Sequence, residues 1–560
     1  MRMIRRFPRV SVGAMPFLIA AAVATAPGGP AVAGLRFANI FHHNMVLQQH
    51  KPIRVWGWAA AGTKVDVTLG DRRKSGVAMA DGMWLVELAP MEAGFGSLAL
   101  TARSGQEAVT YKGILIGEVW VCGGQSNMAP GGHHNADIEF PSADSSAVRY
   151  TRVEGKVAHE PLADLPARDA WMPLVDGKME VRRVAPVAYY FGVRLGRFLK
   201  VPVGIVNTAI GGTTAEVWAS RESLSRYPQL KGLLDARGKD IGAFYNGTIV
   251  PIARLSIRGF LFYQGENNTF DAYETYAHSF PNVVADWRKA FGDPKLPFGI
   301  ISLAGNKAMS RDPEPEREMV HRHSYTHIRD VHFRTFRATA NTGLIPIHDL
   351  GEDTMHPGRK RDVGERAARW ALATAYGFAN KPAGKGGVYH TAPVYREMKV
   401  EGGKALLYFD YDPTIDDRRA GKWYKRLPLP DRAREYRGFL VAGADRRFFP
   451  AEAKVRPVKD GRDIREECLE VWSRDVPKPV AVRYAWANQP NANAYGLHGL
   501  PVAPFRTDNW PFIRSLPSWA RDLEERKASN RRMIEQRERW RRERKLLEAK
   551  RQAAAFAGDG

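Results

Sequence analysis

The first part of the chain alternates apolar and polar residues over short runs. The clearest runs are residues 53–58, 64–69 and 84–88. Turn-forming pairs, Gly70-Asp71 and Asp81-Gly82, separate them. A period of two is typical of strands with one buried face. Residues 34–112 are therefore predicted to form a small antiparallel β domain.

The pattern changes at residue 113, where apolar runs begin to alternate with helical stretches. The predicted strands are residues 114–122, 203–208, 259–263, 297–303 and 343–348. The predicted helices are residues 188–199, 272–290 and 360–376. Strands that alternate with helices favour a parallel α/β sheet. Residues 113–382 are therefore predicted to form an α/β domain.

Short strands return after this segment. Residues 405–409 and 480–484 are the clearest, and residues 383–512 are predicted to form a second β domain. Residues 513–560 are dense in arginine and glutamate, with only a thin apolar stripe. They predict a long, basic, charged helix exposed to solvent, and a partly frayed charged tail is the alternative.

The N-terminus has the features of a secretory signal. Four arginines within the first nine residues precede an apolar stretch at 10–26, and Ala31-Val-Ala33 is a small-x-small cleavage site. The apolar stretch is too short to span a bilayer, and Gly13 and Pro16 interrupt it. Residues 1–33 are therefore predicted to be a cleaved signal peptide, and the mature protein to be periplasmic or extracellular.

The charge of the chain favours anionic surroundings. The formal net charge is +23, and removing the four signal arginines leaves +19. Such a charge favours an anionic polysaccharide as partner, although it could equally serve solubility alone. Nucleic acid is not an expected partner, because no aromatic and basic binding motif is present. Two cysteines, Cys122 and Cys468, are too few for disulfides to hold the fold together.

A serine follows the first strand of the α/β segment. The apolar run ends at Gly123-Gly124, and Ser126 lies two residues further on. Glycines permit backbone angles that other residues resist, and a tight turn after a core strand lifts a hydroxyl out of the sheet. Ser126 is therefore a candidate nucleophile.

Polar loops follow three more of the predicted strands. They contain Gly211-Gly-Thr213, Gln264-Gly-Glu-Asn-Asn268 and Asp353-Thr-Met-His356. Asp353 and His356 are three residues apart, so the carboxylate can hold the imidazole tautomer that accepts a proton from serine. Open parallel sheets bind ligands at the carboxyl ends of their strands. Together with the serine turn, these loops predict an active site at that edge.

The loops resemble the conserved blocks of the SGNH hydrolases. The matching segments are Gly124-Gln-Ser-Asn-Met128, Gly211-Gly-Thr213, Tyr263-Gln-Gly-Glu-Asn-Asn268 and Asp353-Thr-Met-His-Pro357. Within that group the chain resembles sialate O-acetylesterase-type carbohydrate esterases over nearly all of residues 35–510. The resemblance implies a flavodoxin-like, three-layer α/β hydrolase domain with a parallel sheet, flanked by two β-sandwich-like domains.

The resemblance also implies a role for each site residue. Ser126 would be the nucleophile, His356 the general base and Asp353 the acid that orients it. The oxyanion would lie against the amides of Ser126 and Gly212 and the side chain of Asn268. An acyl-enzyme would form and water would release acetate, with no cofactor. Three further residues would shape the loops: Gln125, Gln264 and Glu266.

Histidine clusters do not predict a metal site. The clusters are His42-His43, His133-His134 and His321-Arg-His323 with His327. None combines with carboxylates at the spacing of a zinc or di-iron site. Surface or loop histidines are the simpler interpretation.

The leading functional hypothesis is an exported serine esterase that removes O-acetyl groups from carbohydrate. One alternative is a non-catalytic protein that binds glycans or polyanions on the same scaffold. Another is an esterase for a different acyl ester, such as a lipase or thioesterase. The sequence leaves open which glycan is the substrate and which oligomeric state the protein adopts.

Overall fold

The computed structural model describes residues 34–131, 148–166, 170–174, 183–271, 273–307, 324–380, 387–411, 427, 429, 435–460, 463–496 and 498–510. The predicted signal peptide and the predicted C-terminal charged helix lie outside these residues.

The strands and helices of the described residues follow in chain order. The strands are β1 (Arg36–Phe37), β2 (Val46–Gln48), β3 (Ile53–Trp58), β4 (Lys64–Leu69), β5 (Arg72–Val77), β6 (Met83–Leu88), β7 (Gly94–Ser104), β8 (Glu107–Gly124), β9 (Val148–Arg152), β10 (Met172–Pro173), β11 (Val203–Asn207), β12 (Gly259–Tyr263), β13 (Phe298–Ile301), β14 (Thr342–Ile345), β15 (Val394–Glu401), β16 (Lys404–Asp410), β17 (Phe439–Ala442), β18 (Phe448–Asp460), β19 (Asp463–Trp472), β20 (Ala481–Tyr484) and β21 (Phe505–Arg506). The α-helices are α1 (Pro186–Leu199), α2 (Arg221–Leu224), α3 (Lys231–Arg237), α4 (Asn268–Asp271), α5 (Tyr273–Ala290), α6 (Ser324–Ala338) and α7 (Lys360–Thr374).

The N-terminal strands pair as the alternating pattern predicts. In β4, Val65, Val67 and Leu69 are buried, whereas the intervening residues are exposed or half-buried. This strand pairs antiparallel with both β5 and β7. A separate three-stranded sheet has the order β1-β3-β6, also antiparallel. These strand pairs are antiparallel, whereas β2 pairs parallel with β8, and the separate N-terminal domain stays a prediction.

Strand β8 joins the N-terminal strands to the parallel sheet. Its first part pairs antiparallel with β7, and its second part pairs parallel with β11 and β12. The predicted boundary between residues 112 and 113 therefore falls inside one continuous strand. The predicted strand at 114–122 is present and is longer at both ends.

The central sheet has the order β10-β9-β11-β8-β12-β13-β14. Every pair from β9 to β14 is parallel. The strands are almost fully buried, as expected for a sheet covered on both faces. Because β11 and β12 flank β8, the loops that follow these three strands lie side by side at one edge of the sheet.

Helices cover both faces of this sheet. On one face, Trp120 of β8 contacts Phe191 of α1 and Trp370 of α7. On the other face, Phe260 of β12 contacts Trp287 of α5. Phe260 lies beside Val121, and successive strand residues point to opposite faces. The aromatic residues thus fix helices to both sides of the strand that ends at the serine.

The last strands form a separate seven-stranded sheet of the order β15-β16-β19-β18-β17-β20-β21, with antiparallel pairs throughout. Arg329 of α6 connects it to the α/β part of the molecule. The guanidinium donates to the carbonyls of Leu303 and Ala304 and to those of Ala487 and Asn488. Four hydrogen bonds satisfy a cation that is 1% exposed.

The described residues also bear on the cysteines and on membrane-spanning helices. Cys122 and Cys468 are both buried and both free, so no disulfide joins them. None of the helices in the described ranges is long and apolar enough to cross a membrane.

Candidate active site

The turn after β8 requires glycine. Gly124 has φ +129°, and a Cβ atom there would lie 2.0 Å from the carbonyl oxygen of Tyr263 on β12. The amide of Gln125 donates to the same carbonyl at 3.0 Å. The backbone therefore turns tightly against β12 and brings Ser126, which is half-buried, to the end of the sheet.

Ser126 and His356 are in direct contact. The distance between Ser126 Oγ and His356 Nε2 is 2.8 Å, within hydrogen-bond range. The two residues are 230 positions apart in the sequence and meet because β8 and β14 end at the same edge of the sheet. This geometry fits a hydroxyl that can give its proton to an imidazole.

The loop that carries His356 is anchored at both ends. Asp349 accepts two hydrogen bonds of 2.7 Å from Arg366 of α7. The Glu352 carboxylate accepts the amide of Gly358 at 3.0 Å. The amide of His356 itself donates to Thr354 Oγ1 at 3.1 Å. These bonds hold the imidazole near the serine without any contribution from substrate.

Asp353 is not seen in contact with the imidazole. Its side chain is exposed, and no hydrogen bond between it and His356 is present among the described residues. The carboxylate of the neighbouring Glu352 accepts a hydrogen bond from the Gly358 amide. The role of Asp353 as the orienting acid therefore stays a prediction.

The Gly211-Gly212 turn lies beside the serine. A Cβ atom on Gly211 would lie 3.6 Å from Ser126 Cβ, whereas one on Gly212 would meet nothing within 4 Å. Gly212 has φ +74°. Across the part of the chain that the structure describes, the amides of Ser126 and Gly212 donate to no protein acceptor. The role of both amides in the oxyanion site stays a prediction.

The side chain of Asn268 is buried in a network that supports the second glycine loop. Its Oδ1 accepts from the Ala215 amide at 2.9 Å and from Gln264 Nε2 at 2.7 Å. Its Nδ2 donates to Glu216 Oε2 at 3.0 Å. The residue is fully buried. These contacts indicate a supporting role, and its contribution to the oxyanion site stays a prediction.

Gln125 and Gln264 form hydrogen bonds between the loops around Ser126. Gln125 Oε1 accepts from the amides of Gly265 and Asn267 at 3.3 and 3.2 Å. Gln264 Nε2 donates to the carbonyl of Thr213 at 3.1 Å. The two side chains thereby connect the loops that follow β8, β11 and β12.

Glu266 belongs to a buried cluster whose other members, Asn127 and Lys360, the sequence did not single out. Asn127 Nδ2 donates to Glu266 Oε1 at 2.5 Å, and Lys360 Nζ donates to Asn127 Oδ1. Burial raises the pKa of Glu266 from 4.5 to about 6 and lowers that of Lys360 from 10.5 to about 8. In sequence, Lys360 looks like an ordinary surface residue at a helix start.

The histidine clusters show no metal site among the described residues, where no group of three potential ligands converges. His43 Nδ1 accepts the amide of Lys112, and His327 is buried. His133, His134, His321 and His323 lie outside the described residues.

Comparison with known proteins agrees with this fold. A family model for carbohydrate esterases, sialic acid-specific acetylesterases, matches residues 116–370. A crystal structure of a carbohydrate acetylesterase from Xanthomonas citri is 30% identical, with a TM-score of 0.69 over 85% of this chain and 100% of that one. The sialate O-acetylesterases of Rattus norvegicus and Homo sapiens are 27% and 28% identical. The rat match covers 73% of this chain and 84% of the relative, and the human match 68% and 77%.

The fold and these relatives define a carboxylic ester hydrolase of the carbohydrate esterase class. The chain belongs to the family of sialic acid-specific acetylesterases, which confirms the resemblance that the sequence motifs indicated.

Proposed function

We propose that this protein is an exported serine esterase that removes O-acetyl groups from carbohydrate through an acyl-enzyme. The observation that carries the proposal is the 2.8 Å contact between Ser126 Oγ and His356 Nε2 at the carboxyl edge of the parallel sheet. The sialate O-acetylesterases among its relatives make an acetylated sugar acid a substrate to test first. The signal-like residues 1–33 support export.

The proposed reaction has two halves. Ser126 Oγ attacks the acetyl carbonyl carbon while His356 Nε2 takes the hydroxyl proton, and the carbonyl oxygen becomes an oxyanion. As this intermediate collapses, the C–O bond to the sugar breaks and His356 returns the proton to the departing sugar oxygen. Water then attacks the acetyl-enzyme with His356 as base, which releases acetate and restores the serine.

The oxyanion would lie against the amides of Ser126 and Gly212. A preorganised donor of this kind contributes about 10²–10³-fold to the rate, because it faces charge that develops only in the transition state. Asn268 is proposed as a third donor or as a support for the glycine loop. Asp353 is proposed to orient His356, and its exposure leads us to expect a smaller effect from its loss.

The chain would divide as the sequence predicts. We propose a hydrolase domain of SGNH type at residues 113–382, with β-sandwich-like domains at 34–112 and 383–512. The continuity of β8 means that the first two would share a strand. The net positive charge supports an anionic polysaccharide as the acetylated partner.

The direct test is p-nitrophenyl acetate hydrolysis by the wild type, Ser126→Ala and a control variant, Ser225→Ala. Ser225 is an exposed serine whose hydroxyl donates to the carbonyl of Glu222 at the end of α2. We expect kcat to fall by at least about 10³-fold in Ser126→Ala and to stay unchanged in the control. Near-normal activity in folded Ser126→Ala would refute the assignment. Acetate release from acetylated glycans then defines the sugar.

A further inference from the structure

The side chain of Asn127 connects the serine turn to the histidine loop. Asn127 follows Ser126 directly, and it is 2% exposed. Its Nδ2 donates to the carbonyl oxygen of Met355 at 2.9 Å, and Met355 directly precedes His356. A single buried amide thus joins the residues adjacent to the two proposed catalytic groups, across 228 positions of sequence.

The partners of this amide allow only one orientation. Lys360 Nζ is a donor without acceptor capacity, so it requires the oxygen of Asn127. Glu266 Oε1 and the Met355 carbonyl are acceptors, so they require its nitrogen. Rotating the amide by 180° would place the nitrogen against the ammonium and the oxygen against both acceptors. Lys360 and Glu266 therefore fix the direction in which Asn127 donates.

We propose that Lys360 and Glu266 position His356 against Ser126 by clamping the side-chain amide of Asn127. All three act through His356 and are positioning residues rather than catalytic ones. The proposal rests on the roles given to Ser126 and His356 under the proposed function.

The charges in the cluster are costly to bury. Burial is the main cause that lowers the pKa of Lys360 to about 8 and raises that of Glu266 to about 6. Glu352 and Arg329 are the other charged groups that act on the pair, from the histidine loop and from α6. A buried cation and a buried carboxylate on opposite sides of one amide form a connected network, and such networks specify a single local geometry.

A loosened clamp should affect the chemical step rather than substrate binding. Displacing a catalytic group by about 1 Å costs on the order of 10²-fold in rate. None of these three residues is the proposed nucleophile or the proposed base. Their loss should therefore lower kcat and leave KM nearly unchanged.

The experiment compares full-length wild type with Lys360→Met, Asn127→Ala, the double variant and Ser126→Ala. Active sites are titrated by the stoichiometric release of p-nitrophenol from diethyl p-nitrophenyl phosphate, and kcat for p-nitrophenyl acetate is expressed per titrated site. Arg288→Met is the matched control. Arg288 is a buried cation that donates to the carbonyls of Leu296 and Asn341, away from the serine.

We expect kcat per site to fall by about 10- to 100-fold in Lys360→Met and in Asn127→Ala, with KM nearly constant. The double variant should be no slower than Asn127→Ala, because both changes remove the same clamp. In Arg288→Met, misfolding would reduce the number of titrated sites but not kcat per site.

A wild-type kcat per site in Lys360→Met would overturn the proposal, and so would losses that multiply in the double variant. If Lys360→Met does not fold, Asn127→Ala decides alone by the same criterion. Ser126→Ala should release no p-nitrophenol from the phosphate ester. Stoichiometric release from that variant would refute the proposed function itself, which is a different result from either failure of the clamp.

Discussion

Titration of Glu266 should make the free energy of unfolding depend on pH, and the substitution Glu266→Gln should remove that dependence. The carboxyl is 2% exposed, and burial raises its pKa from 4.5 to about 6. The folded protein therefore binds this proton more tightly than the unfolded chain does. The stability that protonated Glu266 contributes is complete below about pH 4.5 and is lost as the pH rises through about 6.

The size of the effect follows from that rise. One pKa unit corresponds to about 1.36 kcal/mol, so the free energy of unfolding should fall by about 2 kcal/mol between about pH 4 and pH 7.5 because of this group. Glu266→Gln retains an acceptor for Asn127 Nδ2 but has no proton to lose. As the pH rises from about 4 to 7.5, Glu266→Gln should therefore gain about 2 kcal/mol in free energy of unfolding relative to the wild type.

The assay is denaturant unfolding of both proteins at intervals from pH 4 to pH 7.5. Groups that do not interact with Glu266 titrate alike in both proteins, so subtraction removes their contribution. Ending the range at pH 7.5 keeps Lys360, whose pKa is about 8, mostly protonated in the wild type. Glu160→Gln, which removes an exposed carboxyl, controls for the change in net charge. A difference between Glu266→Gln and wild type that stays constant across this range would contradict this prediction, because it would mean that folding does not perturb the pKa of the carboxyl.

Two further predictions concern the histidine loop and the serine turn. Asp353→Asn should lower kcat for p-nitrophenyl acetate far less than Ser126→Ala does, because Asp353 is exposed and makes no described contact with His356. Equal losses in the two variants would show that the Asp353 carboxylate supports the imidazole during turnover. Gly124→Ala should reduce the free energy of unfolding by more than about 1–3 kcal/mol, because it adds a clash with the Tyr263 carbonyl to an unfavourable φ. Gly62→Ala, with φ +76° and no atom within 4 Å, gives the cost of a positive φ without a clash, and an equal loss in both variants would contradict the clash.

Local pattern determined most of the secondary structure and the identity of the candidate nucleophile and base. The alternating runs at 53–58 and 64–69 coincide with β3 and β4, and the predicted strand at 259–263 coincides with β12. The glycines before Ser126 indicated a tight turn, and Gly124 has the positive φ that such a turn requires. These features depend on residues that are close together in the chain. Apolar periodicity indicates which of them are buried, and glycine indicates where the backbone can adopt a positive φ.

Tertiary structure decided which side chains meet. The sequence assigned Asn268 to the oxyanion site and Asp353 to His356, and both roles stay predictions. The fold adds that Asn268 Nδ2 donates to the buried Glu216 and that Asp353 is exposed. Asn127 stood in a quoted motif without an assigned role, and Lys360 was not recognised at all.

The physical reason is distance along the chain. Hydrophobic periodicity reports which face of each element is buried, but it carries no information on contacts between residues hundreds of positions apart. Such contacts follow from the order of strands in the sheet, which places the ends of β8, β12 and β14 at one edge. Local sequence patterns therefore determined the strands and helices and the side chains available at their ends. Only the packing of those elements decided which groups form the site and which support it.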